Sequence, residues 1–216
     1  MKLGVVCGLK SEAAALAGCD AAIAISGASA DRAYAKAREL AEDGVAALVS
    51  FGLSGALRSG LRPGTLIVPS VVVAADGGRY DVAPAPTPAP VGTVCDPVLG
   101  TDTLVTSAAE KIRLQNVHGA CAVDMESHAV AQAAREAGLP LFVIRAVADP
   151  ADQVLPPSAA AAVAPDGGVR TGATLAALMR RPADLPVLVS LGLQSAKGTA
   201  TLRGAGRALI AGLVRA

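Results

Sequence analysis

Aromatic side chains are nearly absent: two Phe, two Tyr and no Trp in 216 residues. The core must therefore be built from Ala, Val and Leu, and no aromatic ladder exists on which nucleic-acid bases could stack. Histidine is as scarce, with only His118 and His128. The four cysteines, Cys7, Cys19, Cys95 and Cys121, show no C-x-x-C spacing, so a zinc site lacks its ligands. Cys7 and Cys121 lie in apolar runs and read as buried free thiols in a reducing cytoplasm. An excess of charge is missing too. Formal net charge is +1 and no basic block appears, which excludes nucleic acid as a partner. No run reaches the ~18 uninterrupted apolar residues that would cross a bilayer. Leu16-Ala17-Gly18-Cys19 has the form of a lipoprotein cleavage box, but Lys10 and Glu12 interrupt the apolar segment that must precede one.

What remains is a chain 52% hydrophobic and only 17% charged, which excludes disorder. The length fits one domain, residues 1–216, with a sizeable core. Apolar runs alternate with helical patterns, so the expected fold is α/β: a three-layer α/β/α domain with a central, largely parallel twisted sheet. Strands are expected at Leu3–Gly8, Ala21–Ser26, Val45–Phe51, Thr65–Val73, Leu104–Thr106, Ala120–Val123 and Leu141–Ala148. Helices are expected at Asp31–Asp43, Ser127–Ala137 and Thr199–Val214. Pro84, Pro86, Pro88, Pro90 and Pro97 make residues 82–97 a loop. From about residue 158 a divergent helical part follows, and the apolar stretch Leu185–Leu193 reads as core or as an oligomer contact.

Two acidic positions stand beside apolar strand-like runs. Glu126 follows Ala122-Val123-Asp124-Met125, and Asp149 ends Arg145-Ala146-Val147-Ala148 just before Pro150. In open α/β sheets, ligands bind at the carboxyl ends of strands, and two acids of different burial take different catalytic roles. Taken alone, the residues also admit plainer roles. Glu126 is then a helix N-terminal charge, Asp149 a turn residue, Glu12 a helix-start charge, Met125 core, and Gly52-x-x-Gly55 a tight turn. His128 lies two residues past Glu126 on one helix, so the two side chains diverge. Both histidines read as structural or exposed.

The segment from Ala122 to Gln153 resembles the signature of the nucleoside phosphorylase family, and especially its 5′-methylthioadenosine/S-adenosylhomocysteine nucleosidase branch. Lys2–Glu12 is similar to that branch's first strand and the loop after it. Ser50–Leu57 with Leu61–Val68 resembles its Gly-rich active-site turn and following strand. Leu155-Pro156-Pro157 and the stretch Met179 to Pro186 are similar to the hopanoid-associated phosphorylases, which are implicated in removing adenine from adenosylhopane.

The resemblance implies cleavage of an adenine N-glycosidic bond. Asp149 would protonate the base, Glu126 would hold the ribose hydroxyls, and Met125 would pack on the sugar. Glu12 would position water; phosphate, as a co-substrate, would instead need cationic or N–H donors such as Arg32 or Arg58, with Ser54 and Gly55. Ser50 stands where phosphorylases often carry a phosphate-binding Arg. Ala148 replaces a polar residue usual before the acid, and no aromatic lies between Thr106 and Val123 to stack on adenine, leaving Phe51 or Tyr80 for that role. No metal or organic cofactor is implied. The implied partners are a small-molecule or lipid-linked nucleoside, a second copy of the chain in a homo-oligomer and, for a lipid-linked substrate, a peripheral membrane contact. A protein that binds the nucleoside without turnover is the alternative of another class.

Overall fold

In the computed structural model, which describes residues 1–85, 88–156, 164, 166–168, 181 and 184–215, most of the expected elements appear with shifted edges. In chain order they are β1 (Leu3–Cys7), α1 (Lys10–Ala15), β2 (Ala21–Ile25), α2 (Ala30–Glu42), β3 (Ala47–Ala56), β4 (Leu66–Ile67), β5 (Val71–Ala74), β6 (Arg79–Asp81) and β7 (Val98–Gly100). Then come α3 (Ala108–His118), β8 (Ala122–Asp124), α4 (Ser127–Ala137), β9 (Leu141–Asp149), α5 (Leu185–Thr201), a π turn (Leu202–Gly206) and α6 (Arg207–Arg215). Pro157, Pro165, Met179, Arg180, Pro182 and Ala183 lie outside the described residues.

Alternation along the strands sets the layers. Leu3, Val5 and Cys7 of β1 point into one apolar cluster with Ala15, Leu16, Leu202, Leu209 and Leu213, while Val6 points into another with α2 and α4. The central strands β3 and β9 repeat this, with Val49, Phe51, Phe142 and Ile144 on the first face and Leu48 and Val143 on the second. Strands buried on both faces read as continuous apolar runs, which is why these were legible. The sheet runs β2-β1-β3-β8-β7-β5-β6, with β9 paired to β3 and to β4. Five of its eight pairings are parallel; β3–β8, β4–β9 and β5–β6 are antiparallel.

Four expectations change. Gly52–Gly55 is not a turn but the continuation of β3. Pro69 splits the expected strand at Thr65–Val73 into β4 and β5. Leu104–Thr106 is coil without a strand partner, leading to the Ser107 cap of α3. The final helix begins earlier, at Leu185, and Leu185, Val189 and Leu193 are exposed rather than core. Cys7 and Cys121 are buried free thiols. No helix among the described residues is long and apolar enough to cross a membrane.

Candidate active site

The parallel strands β1, β3 and β9 end on the same side of the sheet, and their ends surround a cavity of about 160 Å³. Glu12, Ser54, Gly55, Met125, Glu126 and Asp149 all line it, with Gly8, Leu9, Ala28, Leu53, Leu104, Val123, Asp124 and Ala148. Larger hollows of about 460 and 510 Å³ lie along α2, α4 and β6, but they hold no buried cluster of ionisable groups.

Glu12 is a helix-start residue and more. One carboxylate oxygen, Oε2, accepts the N–H groups of Gly8 (2.8 Å) and Leu9 (2.9 Å), satisfying donors at the start of its own helix. The other, Oε1, accepts Leu53 N–H on β3 (2.8 Å). A carboxylate has about four acceptor sites, so one on Oε1 is left for a ligand. Burial raises the proton affinity of Glu12, opposed by Arg145 and these three N–H donors.

Arg145 is the hub, and it lies in the middle of the apolar strand β9, 1% exposed. It pairs with Asp124 (Nε–Oδ2 3.1 Å, with Nη2 donating to Oδ1 at 3.2 Å), donates to Ser50 Oγ (2.6 Å) and to Ser127 Oγ (3.0 Å), and approaches Glu126 Oε2 at 3.5 Å. Asp124 Oδ1 in turn accepts Glu126 and Ser127 N–H (2.8 and 2.7 Å), fixing the start of α4. Among the acids Asp124 thus takes the closest contacts with the one guanidinium, and Glu126, desolvated and beside other acids, is pushed up to about 8. Glycine makes this packing possible. A Cβ on Gly8 would meet Glu126 Oε1 at 2.6 Å, and one on Gly52 would meet Arg145 Nη1 at 2.6 Å and Glu12 Oε1 at 2.8 Å.

A stability trend follows from Glu126. The folded state holds its proton up to about 8 while the ordinary value is 4.5, so between these pH values the folded state binds more protons. Stability therefore falls as pH rises through that window. Urea midpoints should decline from pH 5 to pH 8, and Glu126→Gln should flatten the decline.

Asp149 closes β9 across the cavity from Glu12 and Glu126. The β3–β9 register slips between Ser54 and Gly55, so Val147 faces Ser54 and Asp149 faces Gly55. The bulge lets Ala148 and Asp149 both line the cavity. Both Asp149 carboxylate oxygens sit 3.2 Å from where a Gly55 Cβ would be, so a side chain at this position of β3 would crowd the acid. Desolvation raises the Asp149 carboxyl, against the opposing effect of Lys111. Ser54 Oγ is buried without a hydrogen-bond partner among the described residues, and Ala28 holds a left-handed φ of 53°, a strained backbone position on the cavity wall.

Other candidates fall elsewhere. Phe51 is fully buried, packed against Leu202 and Gly206 on the opposite face of β3, so it cannot stack on a ligand. Phe51→Leu should cost about 1 kcal/mol of stability and leave KM unchanged, as paired melting and kinetic assays would show. Tyr80 borders the two larger hollows. Arg32 braces the strained loop through Ser26 O (2.5 Å) and Gly27 O (2.8 Å), and Arg58 pairs with Asp96 at the surface, so neither serves the cavity. Ser50 is the buried acceptor of Arg145. His128 faces the hollow of about 460 Å³ beside Asp102 (3.0 Å) rather than Glu126. Sequence reasoning missed Arg145, Asp124, Ser127 and Lys111. A lone Arg inside the apolar run 141–148 was the available signal for the first; Lys111 gave none.

Residues 4–180 match the phosphorylase superfamily. The chain belongs to that superfamily. Among curated proteins no relative matches its sequence. Solved structures share the fold. The 5′-methylthioadenosine/S-adenosylhomocysteine nucleosidase of S. pneumoniae, held with a transition-state inhibitor, superposes with a TM-score of 0.68 at 16% identity, over 99% of this chain and 100% of that one. The corresponding nucleosidase of Neisseria meningitidis, complexed with methylthio-immucillin-A, gives 0.68 at 16% identity over 96% and 99%. The futalosine hydrolase of Helicobacter pylori gives 0.66 at 15% identity over 94% and 96%. This superfamily member therefore has a single α/β domain around a mixed, mostly parallel sheet.

Proposed function

We propose that this protein hydrolyses the adenine N-glycosidic bond of a 5′-substituted adenosine, with adenosylhopane the substrate favoured by its sequence resemblance. The observation that carries the reading is the convergence of Glu12, Glu126 and Asp149 on one cavity. The C1′–N9 bond breaks with its electron pair leaving on adenine, and Asp149 gives its proton to N7, so a neutral base departs. Glu126 binds the ribose hydroxyls, and its carboxylate form, which gains population as pH rises towards about 8, faces the developing positive charge. Water, accepted by the remaining site on Glu12 Oε1, bonds to C1′ and loses a proton to that carboxylate. Adenine and a reducing sugar result.

Water is favoured over phosphate by charge. The buried cations beside the cavity, Arg145 and Lys111, are already bound to carboxylates. Among the described residues lining the cavity none is a Lys or Arg, whereas Glu12, Asp124, Glu126 and Asp149 all are acids. A phosphate dianion would enter without a counter-charge. A cytoplasmic homo-oligomer touching membranes peripherally belongs to the same proposal, and the exposed Leu185, Val189 and Leu193 offer apolar surface for contact.

The test is adenine release from adenosylhopane and from 5′-methylthioadenosine in phosphate-free buffer. Release from either supports hydrolysis, and preference for the first supports the lipid-linked substrate. Tight binding of both with no release would replace the enzyme with a nucleoside-binding protein.

A further inference from the structure

Lys111 lies on α3 and is completely buried, an expensive position for an ammonium group unless every donor is matched. Here all three are. Nζ donates to Asp149 Oδ2, to Pro150 O at 2.9 Å and to Gln153 O at 3.1 Å. The two carbonyls belong to the turn directly after β9, so one cation ties together the acid, the turn that follows it and the helix beneath the cavity wall. The tie is reinforced nearby by Leu155 N–H donating to Thr106 O at 2.8 Å. Four acceptor sites on a carboxylate and one donor on Oδ2 leave Oδ1 without a protein donor among the described residues, at the rim of the cavity that Asp149 lines.

Resting on the hydrolase reading above, we propose that Lys111 is the positioning residue for Asp149: it anchors Oδ2, presents Oδ1 to the base, and sets the pH at which the acid gives up its proton. Two influences on Asp149 oppose each other, burial favouring the neutral acid and the adjacent ammonium favouring the carboxylate. The other charged groups facing Asp149 are acids across the cavity: Glu12 from α1, Asp124 from β8 and Glu126 from the start of α4. Lys111 is thus the sole cation acting on Asp149 among the described residues that contact it. The lysine also supplies what Ala148 cannot, a polar partner beside the acid.

The test compares Lys111→Gln, which is neutral but keeps hydrogen-bond donors, with Lys111→Arg, which keeps the charge. Carbon-13 NMR of labelled aspartate carboxyls, assigned with Asp149→Asn, follows the Asp149 titration without any substrate. In Lys111→Gln the midpoint should move to higher pH; in Lys111→Arg it should stay near that of the unsubstituted protein. With a substrate that releases adenine, the alkaline limb of the kcat/KM profile should move to higher pH in Lys111→Gln, so that kcat/KM at a pH on that limb, relative to its plateau, rises several-fold. Lys111→Arg should restore the original profile even if kcat falls. An Asp149 midpoint unmoved by Lys111→Gln overturns the proposal, whatever happens to kcat. Should Lys111→Gln not fold, a displaced midpoint in Lys111→Arg overturns it equally. If the unsubstituted protein releases no adenine, the hydrolase reading fails while the NMR titration still decides whether Lys111 governs Asp149.

Discussion

Asp149→Asn should lower kcat for adenine release by about 10²- to 10⁴-fold, the contribution of a positioned general acid, while nucleoside binding stays largely intact. Asn fills the same space and its side-chain carbonyl still accepts from Lys111, so the tie to the turn at Pro150 and Gln153 survives. What disappears is the proton. Adenine is a poor leaving group as an anion, and none of the other acids in the cavity shares Asp149's place at the end of β9. Single-turnover rates and equilibrium binding of a non-cleavable nucleoside analogue would separate the two effects. Unchanged turnover would remove Asp149 from the chemistry.

Arg145→Met should have the largest effect on folding. The guanidinium is 1% exposed and stands between Asp124, Glu126, Ser50 and Ser127. Met fills similar volume in β9 but leaves the carboxylates of Asp124, Glu126 and Glu12 facing one another in a desolvated site. Breaking a buried ion pair by removing one partner costs about 3–5 kcal/mol, which in a domain of this size lowers Tm by roughly 10 °C. Adding Asp124→Asn to Arg145→Met should recover part of the loss, because it removes the acid with the closest contacts to the arginine. Calorimetry of the single and double variants checks both statements. Equal Tm for Arg145→Met and the parent would mean that the cluster contributes no net stability.

The contrast between these two residues shows what the sequence makes legible. Asp149 and Glu126 follow apolar runs at strand ends, and a chain pattern alone marks such places in α/β folds. Glu12 was visible as a helix-start charge, and its reach across to Leu53 on β3 depends on a parallel pairing of β1 with β3 that no local pattern encodes. Phe51 went astray because alternation says that Phe51 and Gly52 face opposite ways without saying which face holds the cavity; Phe51 faces α5's continuation at Leu202 and Gly206. Helix α3 escaped notice since its apolar stripe is almost empty. Only Lys111 and Leu114 are buried in it, while Ile112 and Val117 face outward. The lysine that anchors the acid was thus concealed in a segment that reads as ordinary polar surface. Gly52 and Gly55 read in the sequence as turn residues and Gly8 as the end of a strand, yet their role is to let carboxylates and a guanidinium approach the backbone.

The central claim is that water, oriented by Glu12, and not phosphate attacks the ribose. The most direct measurement is the identity of the sugar product when turnover runs in millimolar phosphate, followed by phosphorus-31 NMR together with a reducing-sugar assay. The account predicts adenine and free reducing sugar in equal amounts, no ribose 1-phosphate resonance, and a rate independent of phosphate. A ribose 1-phosphate product forming in step with adenine would contradict it.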